Sequence, residues 1–367
     1  MKLNTTREKI LQATLLVERI VGKKESLPVL SCVFFDVGKE LSLRATNLEA
    51  GIVVSVPCDI EEKGAVAVPA TVLSQTLRSI SSEKISFKTE EGNLVVESRG
   101  TRTVIKAIPH EEFPALSNGT GTNGVPVSRL ELVRGLQSVS YAASPSMIRP
   151  ELGSVYVSVR GEGIQCVATD SFRLAEKTIT SGSVGRKKEI ELLLPLKHAI
   201  ELSHVLEQVS DEVVTVIADD SQMSVMVPGV HYVSRIVDGT FPNYKEIMPK
   251  KFGTEATVLK SDFAEMLRKA RVFSGNDQHV GLHLYPKKKI FSATARSADV
   301  GEMSDSVDAA LSGEDLDINF HIGYLADCLS SIESDSIVLG FSGAGKPLVF
   351  RGVSDASFTY LVMPLNR

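Results

Sequence analysis

The residues IQCVATDSFRLAE, from Ile164 to Glu176, contain a pattern that occurs three times in the chain. Its relatives are LSLRATNLEAG, which begins at Leu41, and IFSATARSADVG, which begins at Ile290. In each copy a short run of alternating apolar and polar residues, typical of a β-strand, ends in Ala-Thr and leads into polar turn residues. The Ala-Thr pairs lie at 45–46, 168–169 and 293–294, so they are separated by 123 and 125 residues. This spacing indicates a tandem repeat of whole domains.

The elements that flank the Ala-Thr strands repeat in the same order. Apolar residues at intervals of three and four predict one helix before each strand, over 7–21, 128–141 and 261–273, and a second helix after it. The second helices begin at Val68, Leu194 and His321, and each copy closes on Phe113-Pro114, Phe241-Pro242 or Met363-Pro364. The sequence therefore predicts an α+β protein with three tandem copies of one domain. Each copy has two helices packed on antiparallel sheets, with bounds at 1–122, 123–250 and 251–367.

Length and composition are those of a soluble multidomain protein. The chain has 367 residues, of which 43% are hydrophobic and 23% charged. Arg7, Glu8 and Lys9 interrupt the apolar residues at the N-terminus, which is typical of an amphipathic helix and not of a secretory signal. No segment reaches the roughly 18 uncharged apolar residues of a membrane span. We expect a cytoplasmic protein without membrane contact.

The cysteines and the net charge exclude further classes. No two cysteines form a Cys-x-x-Cys pair, so we expect four buried, reduced thiols and no zinc site. They are Cys32, Cys58, Cys166 and Cys328. The formal net charge is −5, which lacks the basic excess typical of a nucleic-acid-binding domain.

Three partial motifs fail on their context. Residues 118–124, NGTGTNG, satisfy the letters of a dinucleotide-binding loop but have neither a strand before them nor a helix after them. Gly340–Lys346 matches a P-loop until Pro347 takes the place of the hydroxyl residue that would bind Mg²⁺, and a strand pattern follows, so a hairpin turn is expected. His279 and His283 lie in an alternating strand pattern, about 13 Å apart, and cannot share a metal. We expect no cofactor and no metal.

Asp170, Ser171 and Arg173 place an acid, a hydroxyl and a cation close together, as in a hydrolase. The first copy has Asn47-Leu48 at the equivalent positions, and no histidine or Gly-x-Ser-x-Gly elbow accompanies Ser171. Local hydrogen bonds from Thr169 and Asp170 that hold a turn are the favoured interpretation. A hydrolase and a three-domain, adhesin-like structural protein stay open as alternatives. Repeated domains with edge strands also predict closure, edge to edge, into a symmetric assembly.

Four stretches carry a resemblance to a known family. They are SLPVLSCVFF from Ser26, VATDSFRLA from Val167, DGTFPNYKEIMP from Asp238 and YLVMPLNR from Tyr360. With the threefold repeat, they resemble the bacterial DNA polymerase III beta subunits, the sliding clamps. The resemblance implies a non-catalytic processivity factor: a head-to-tail homodimer that encircles double-stranded DNA with helices inside and sheets outside. It also implies an ATP-driven clamp loader as partner. The replicative polymerase, repair polymerases and other proteins would bind through short hydrophobic motifs.

A ring holds DNA by topology, so the negative net charge is no objection to DNA as a partner. Strong phosphate binding would slow sliding. Basic residues on the lining helices are sufficient, and the last helix carries none. The candidates that we expect to face DNA are Lys24, Arg78, Arg134, Lys197, Lys260 and Arg268, with Arg7, Lys9, Lys23, Lys269 and Arg271 as further basic residues near them.

The resemblance also implies a pocket for partner peptides between the second and third domains. Its residues, carried over by motif position, are Leu152, Thr169, Arg173, Leu174, Pro242, Ile247, Pro347, Leu361, Val362, Met363 and Pro364. Leu152 and Pro347 align less surely than the others. Phe172, Glu246 and the terminal Asn366-Arg367 depart from the family pattern, so the rim of the pocket is expected to alter which peptide sequences are preferred.

Overall fold

The computed structural model describes residues 1–22, 27–116, 124–160, 163–180 and 189–365. Within these ranges the order strand, helix, strands, helix, strands occurs three times, and we call each copy a module. Every predicted helix is present, with ends that differ by a few residues. The helices are α1 (Arg7–Glu18), α2 (Ala70–Ser79), α3 (Arg129–Ser140), α4 (Leu196–Glu207), α5 (Lys260–Phe273) and α6 (Ile322–Asp327), which continues as a 3-10 turn over Cys328–Ser331.

The strands of each module form two sets: those between its two helices, and those before the first and after the second. The first module has β1 (Lys2–Thr6), β2 (Cys32–Val37), β3 (Leu41–Thr46), β4 (Ala50–Val56), β5 (Asp59–Glu62), β6 (Gly64–Pro69), β7 (Lys84–Glu90), β8 (Asn93–Ser98) and β9 (Thr101–Ile105). The second has β10 (Val125–Ser128), β11 (Ser154–Arg160), β12 (Gly163–Thr169), β13 (Arg173–Thr180), β14 (Ile190–Pro195), β15 (Val213–Ala218), β16 (Gln222–Val227) and β17 (Val230–Arg235). The third has β18 (Thr254–Leu259), β19 (His279–Tyr285), β20 (Ile290–Ser297), β21 (Gly301–Ser306), β22 (Ala309–Gly313), β23 (Leu316–His321), β24 (Ser336–Phe341), β25 (Leu348–Gly352) and β26 (Phe358–Val362).

The described chain divides into two compact units. The first comprises Met1–Leu130 and Ile200–Ile236, and contains the sheets β5-β1-β7-β8-β9 and β10-β15-β16-β17-β4-β3-β2-β6. The second comprises Glu131–Gly182, Glu189–Ala199 and Val237–Arg367, and contains the sheets β14-β11-β12-β13-β26-β25-β24-β18-β22 and β21-β20-β19-β23. The strand pairings in all four sheets are antiparallel. Apolar residues of these sheets and of the helices form the core.

Two sheets join strands of different modules, and they do so in the same way. At the first junction β17 pairs with β4, and at the second junction β26 pairs with β13. Gly51 lies opposite Val233 at the first junction, and Leu174 lies opposite Leu361 at the second. The pairing therefore links the fourth strand of one module to the last strand of the next.

The strands confirm two local expectations and contradict a third. Gly343 and Gly345 have positive φ values of 115° and 71° in the turn between β24 and β25, which confirms a hairpin turn and not a P-loop. His279 and His283 both lie on β19, as expected. The prediction that each of these strands ends at its Ala-Thr pair was wrong for the third copy. There β20 continues past Thr294 to Ser297, because Ser297 pairs with Gly301 of β21.

Three cysteines are buried, as expected, whereas Cys58 is half-buried at the corner between β4 and β5. All four are free thiols. In the described part of the chain, no helix is both long enough and apolar enough to cross a membrane. Among the same residues, no three His, Cys, Asp or Glu side chains come together in a way that could hold a metal ion.

Candidate functional site

An apolar row crosses the nine-stranded sheet at the second junction. Because side chains alternate between the two faces of a strand, the register places five of them on one face, which we call the outer face. Tyr156 lies opposite Val167, Leu174 opposite Leu361, and Val349 also opposite Leu361. These side chains pack together, with Leu174 and Leu361 almost completely buried.

The segment that follows β17 crosses this row. Phe241 stacks on Tyr156 with ring centroids 5.4 Å apart, and Met248 and Phe252 pack against the same cluster. Tyr244 begins a short 3-10 turn and is 7% exposed, and burial raises the pKa of its phenol. We call the surface formed by the apolar row, this segment and Met363 the apolar groove.

The structure brings most of the predicted pocket residues to this groove. Leu174, Leu361 and Met363 belong to its apolar cluster, and Pro242 and Ile247 lie on the segment above it, with Ile247 58% exposed. Thr169 pairs with Leu174 on the neighbouring strand. Pro347 and Pro364 lie beside Met363 at the strand ends, because Leu348 pairs with Val362.

Three predicted residues lie elsewhere. Leu152 is buried in the turn before β11, where its backbone N–H donates to the carbonyl of Arg149. Arg173 and Val362 lie opposite each other and face the other side of the sheet from Leu174 and Leu361. Arg173 therefore supports the groove from behind and does not form its wall.

Arg173 is held on that inner face by two carboxylates and two aromatic rings. Its Nε donates to Asp170 Oδ2 at 2.9 Å and its Nη1 to Asp327 Oδ2 at 2.5 Å. The guanidinium carbon lies 4.4 Å from the ring centroid of Tyr324 and 5.9 Å from that of Tyr141. Burial by itself would lower the pKa of Arg173, but its interactions with Tyr360, Asp327 and Asp170 outweigh burial and raise that pKa.

The corner around Ser171 is a turn. Asp170 Oδ1 accepts the backbone N–H groups of Phe172 and Arg173, each at 2.9 Å, and Thr169 Oγ1 donates to the carbonyl of Arg173. With Asp170 Oδ2 bound to Arg173, both carboxylate oxygens are engaged. Ser171 occupies the left-handed region, with φ at 79°. This confirms the expectation that local hydrogen bonds hold the corner.

The groove also contains residues that the motif comparison missed. These residues are Tyr156, Val167, Tyr244 and Val349. They reach the groove through the register of the paired strands and through the segment that crosses the sheet, and the separate motifs contain no information about either. At the rim, Phe172 is 60% exposed and its carbonyl accepts the N–H of Met363 at 2.7 Å. Glu246 is exposed and accepts a hydrogen bond from Asn243.

The candidates for DNA contact differ in exposure and in the contacts that the structure gives for them. Arg78 and Arg268 are exposed on α2 and α5, and Lys197 is exposed on α4. Arg134 lies 3.5 Å from the carboxylate of Glu333, and Lys260 donates to the carbonyl of Ile332 at 2.7 Å.

Of the further basic residues, Arg7 donates to the carbonyl of Leu77 at the end of α2, and Lys269 contacts Glu265 and Asp305. Lys9 and Arg271 are exposed. Lys23 and Lys24 lie outside the described residues, as do the terminal Asn366 and Arg367.

Comparison with known families accounts for the threefold repeat. Models of the N-terminal, central and C-terminal domains of the DNA polymerase III beta subunit match residues 1–117, 127–243 and 245–366. The chain belongs to the DNA polymerase III beta subunit family. It is therefore a non-catalytic processivity factor for a DNA polymerase, built from three clamp domains, and the hydrolase alternative has no support.

Relatives extend over the whole chain. The beta sliding clamp of Pseudomonas aeruginosa is 26% identical over 365 residues, which cover 98% of each chain. The crystal structure of the beta subunit from Thermotoga maritima has a TM-score of 0.94 at 26% identity, with 100% of this chain and 99% of that chain covered. A P. aeruginosa sliding clamp bound to griselimycin has a TM-score of 0.92 at 25% identity and covers both chains fully.

Proposed function

We propose that two copies of the chain close head to tail into a ring around double-stranded DNA, and that the apolar groove binds short hydrophobic motifs of partner proteins. An ATP-driven clamp loader opens and closes this ring in the cytoplasm. The replicative polymerase, repair polymerases and other proteins bind the groove in turn. The clamp domains have the bounds 1–122, 123–250 and 251–367. The observation that supports a ring is that both junctions between modules pair strands in the same way.

Each junction uses the fourth strand of one module and the last strand of another. The first and second junctions use β4 with β17 and β13 with β26, which leaves β21 of the third module and β9 of the first. β21 and β9 each lie at the edge of their sheet. An exposed edge of backbone N–H and C=O groups favours pairing with another strand. Pairing of β9 with β21 of a second copy repeats the internal junction and closes a ring with two identical interfaces.

The internal junctions also predict the register of this interface. Thr46, Thr169 and Thr294 end the three Ala-Thr pairs, and they lie opposite Gly51, Leu174 and Ser304. The hairpins that close at Ser98–Thr101 and Val227–Val230 make Val104 equivalent to Val233. Ser304 then faces Val104 of the other copy.

Two residues further along, the same register brings Glu302 opposite Lys106. At the first junction the equivalent pair is Glu49 and Arg235, whose charged groups are 3.5 Å apart. The N–H of Arg235 also donates to the carbonyl of Glu49 at 2.8 Å. Glu302 and Lys106 are both exposed. The edges are complementary in charge over a longer stretch: the β9 side carries Arg99, Arg102 and Lys106, and the β21 side carries Asp299, Glu302 and Asp305.

Of the two internal junctions, only the second has an apolar groove on this face of the sheet. The first junction has Arg44 where the second has Val167, Gly51 where it has Leu174, and Ser224 where it has Val349. A Cβ at Gly51 would lie 2.5 Å from Leu116, so the chain itself covers that face. A surface that retains exposed apolar side chains beside a buried apolar row is typical of a site for apolar peptide anchors.

A topological assay tests the ring. Chains loaded onto closed circular DNA by a clamp loader and ATP should stay bound in high salt and dissociate when one restriction cut makes the circle linear. A ring that is held by topology has no reason to leave an uncut circle. Equal retention on circular and linear DNA would contradict encirclement, as would a molar mass of one chain in solution under the same conditions.

A further inference from the structure

The turn at Asp170 contains two charged groups, a carboxylate and a guanidinium, that its backbone does not need. At the first junction Asn47 and Ala50 replace Asp170 and Arg173, yet Asn47 Oδ1 accepts the two equivalent N–H groups, of Glu49 and Ala50, at 3.0 and 2.7 Å. Leu48 there has a φ of 72°, close to that of Ser171. An amide and a methyl group are therefore sufficient for this backbone. The carboxylate and the guanidinium at the second junction serve another purpose.

That purpose involves α6. Arg173 joins Asp170 to Asp327, the last residue of α6, and lies over the ring of Tyr324 in the same helix. The side chains of Arg173 and Asp170 are 13% and 11% exposed, so water screens this pair little, whereas the side chain of Asp327 is 44% exposed. We call Asp170, Arg173, Tyr324 and Asp327 the Arg173 cluster.

The same helix holds the second strand of the junction. Tyr360 of β26 donates its hydroxyl to the carbonyl of Tyr324 at 2.8 Å. Arg173 directly precedes Leu174, and Tyr360 directly precedes Leu361. On the inner face, α6 thus binds Arg173 and Tyr360. Their chain neighbours, Leu174 and Leu361, form the centre of the groove on the outer face.

We propose that Asp327 and Tyr324 are positioning residues for peptide binding: through Arg173 they fix Leu174 and the turn at Phe172 against Leu361 and Met363. This inference rests on the proposed function of the groove. Phe172 extends the effect to Met363, because its carbonyl accepts the Met363 N–H. The first junction has neither the cluster nor an apolar groove, as the proposal requires.

Peptide affinity and thermal stability together test the role. A fluorescent peptide ending in Leu-Phe is titrated against the full chain and the variant Asp327→Asn. We expect binding to weaken about tenfold, because a guanidinium left with one carboxylate no longer fixes Leu174 and the turn at Phe172 against Leu361 and Met363. Asp327→Glu, which keeps the charge, should recover most of the affinity.

The matched control is Glu333→Gln. Glu333 contacts Lys177 of β13 at 3.2 Å and Arg134 of α3 at 3.5 Å, so this variant removes a charge from the same face at a distance from the turn. It should lower the melting temperature at least as much as Asp327→Asn while peptide affinity stays within about twofold. Equal loss of affinity in both variants, or none in Asp327→Asn, would overturn the positioning role.

A second readout needs no peptide. The ¹³C-methyl resonance of Met363, assigned with Met363→Leu, should shift or broaden in unliganded Asp327→Asn and keep its position in Glu333→Gln. An unchanged resonance in Asp327→Asn overturns the inference whether or not the groove binds peptides. Failure of the unmodified chain to bind any Leu-Phe peptide, with that shift present, would instead contradict the proposed function of the groove.

Discussion

Asn47 and Asp170 hold the same turn in two modules that differ in nearly every other residue of the corner. Each accepts two backbone N–H groups through its Oδ1, and each precedes a residue with a positive φ. The shared element is thus the backbone path after an Ala-Thr strand. It turns the chain back so that the next strand can pair with a neighbouring module.

The positive φ in these turns predicts a gain in stability from glycine. Leu48 is half-exposed at φ 72°, where a side chain costs about 1–2 kcal/mol and glycine costs nothing. Glycine also adds conformational entropy to the unfolded chain, which offsets part of this gain. Leu48→Gly should therefore stabilise the folded protein by about 0.5 kcal/mol. The measurement is the midpoint of thermal unfolding, with Leu48→Ala as the control, which should show no gain. A lower midpoint for the glycine variant would contradict the turn geometry.

Met363 is expected to be an anchor point for peptides. Met363→Ala removes a partly buried side chain from the apolar groove and should weaken binding of a Leu-Phe peptide by about 1–3 kcal/mol. The comparison is by fluorescence anisotropy with Met226→Ala, which removes an exposed methionine from β16 in the first unit. Unchanged affinity for Met363→Ala, or an equal loss for Met226→Ala, would speak against the groove.

Charge reversal tests the register of the subunit interface. Lys106→Glu alone places two carboxylates opposite each other at both interfaces of a ring, and Glu302→Lys alone places two ammonium groups there. Each should raise the dimer dissociation constant about tenfold, as expected for two weakened surface pairs. A mixture of the two variants should form heterodimers of normal stability, since one of their two interfaces then holds only the original charges and the other holds the same pair reversed. Sedimentation of the mixture measures this, and dimers as weak as before mixing would show a different register.

Acid should weaken the second junction through Asp355. Burial alone would raise the pKa of this carboxyl, but hydrogen bonds from Ser357 and the Glu333 N–H, with the charge of Lys177, lower it below its ordinary value of 3.8. A carboxyl with a lowered folded-state pKa contributes its full stability above the unfolded value and loses it as the pH falls through the folded one. The unfolding midpoint of Asp355→Asn should therefore differ from that of the unmodified chain most at pH 7, and the two midpoints should converge as the pH falls below 3.8 through the lowered folded-state pKa. A constant difference at all pH values would exclude this origin.

Arg268 should contribute to DNA contact more than its neighbour Lys269. Arg268 is exposed on α5, whereas Lys269 is engaged by Glu265 and Asp305. Arg268→Ala should reduce the slope of log affinity against log salt on a short duplex by about one per chain, because one fewer phosphate is neutralised. Lys269→Ala should change the slope less. Equal slopes for both variants would place α5 away from the DNA.

The repeat, the helices and the identity of the family could be predicted from the sequence because they depend on local patterns. Amphipathic spacing predicted α1 to α6 to within a few residues, and the Ala-Thr spacing predicted three modules. Motif position also predicted Leu174, Leu361 and Met363 as neighbours. Their apolar character was readable along the chain, residue by residue.

The tertiary structure alone decided the faces and the partners of those residues. Arg173 was predicted beside Leu174 in one wall, but strand alternation turns it to the inner face, where Asp327 lies 154 residues away in the chain. Tyr156, Val167 and Val349 join the groove through register, which depends on the pairing of strands from separate modules. The spacing of side chains along one strand follows from the sequence. Contacts across a sheet depend on the register in which strands from distant parts of the chain pair.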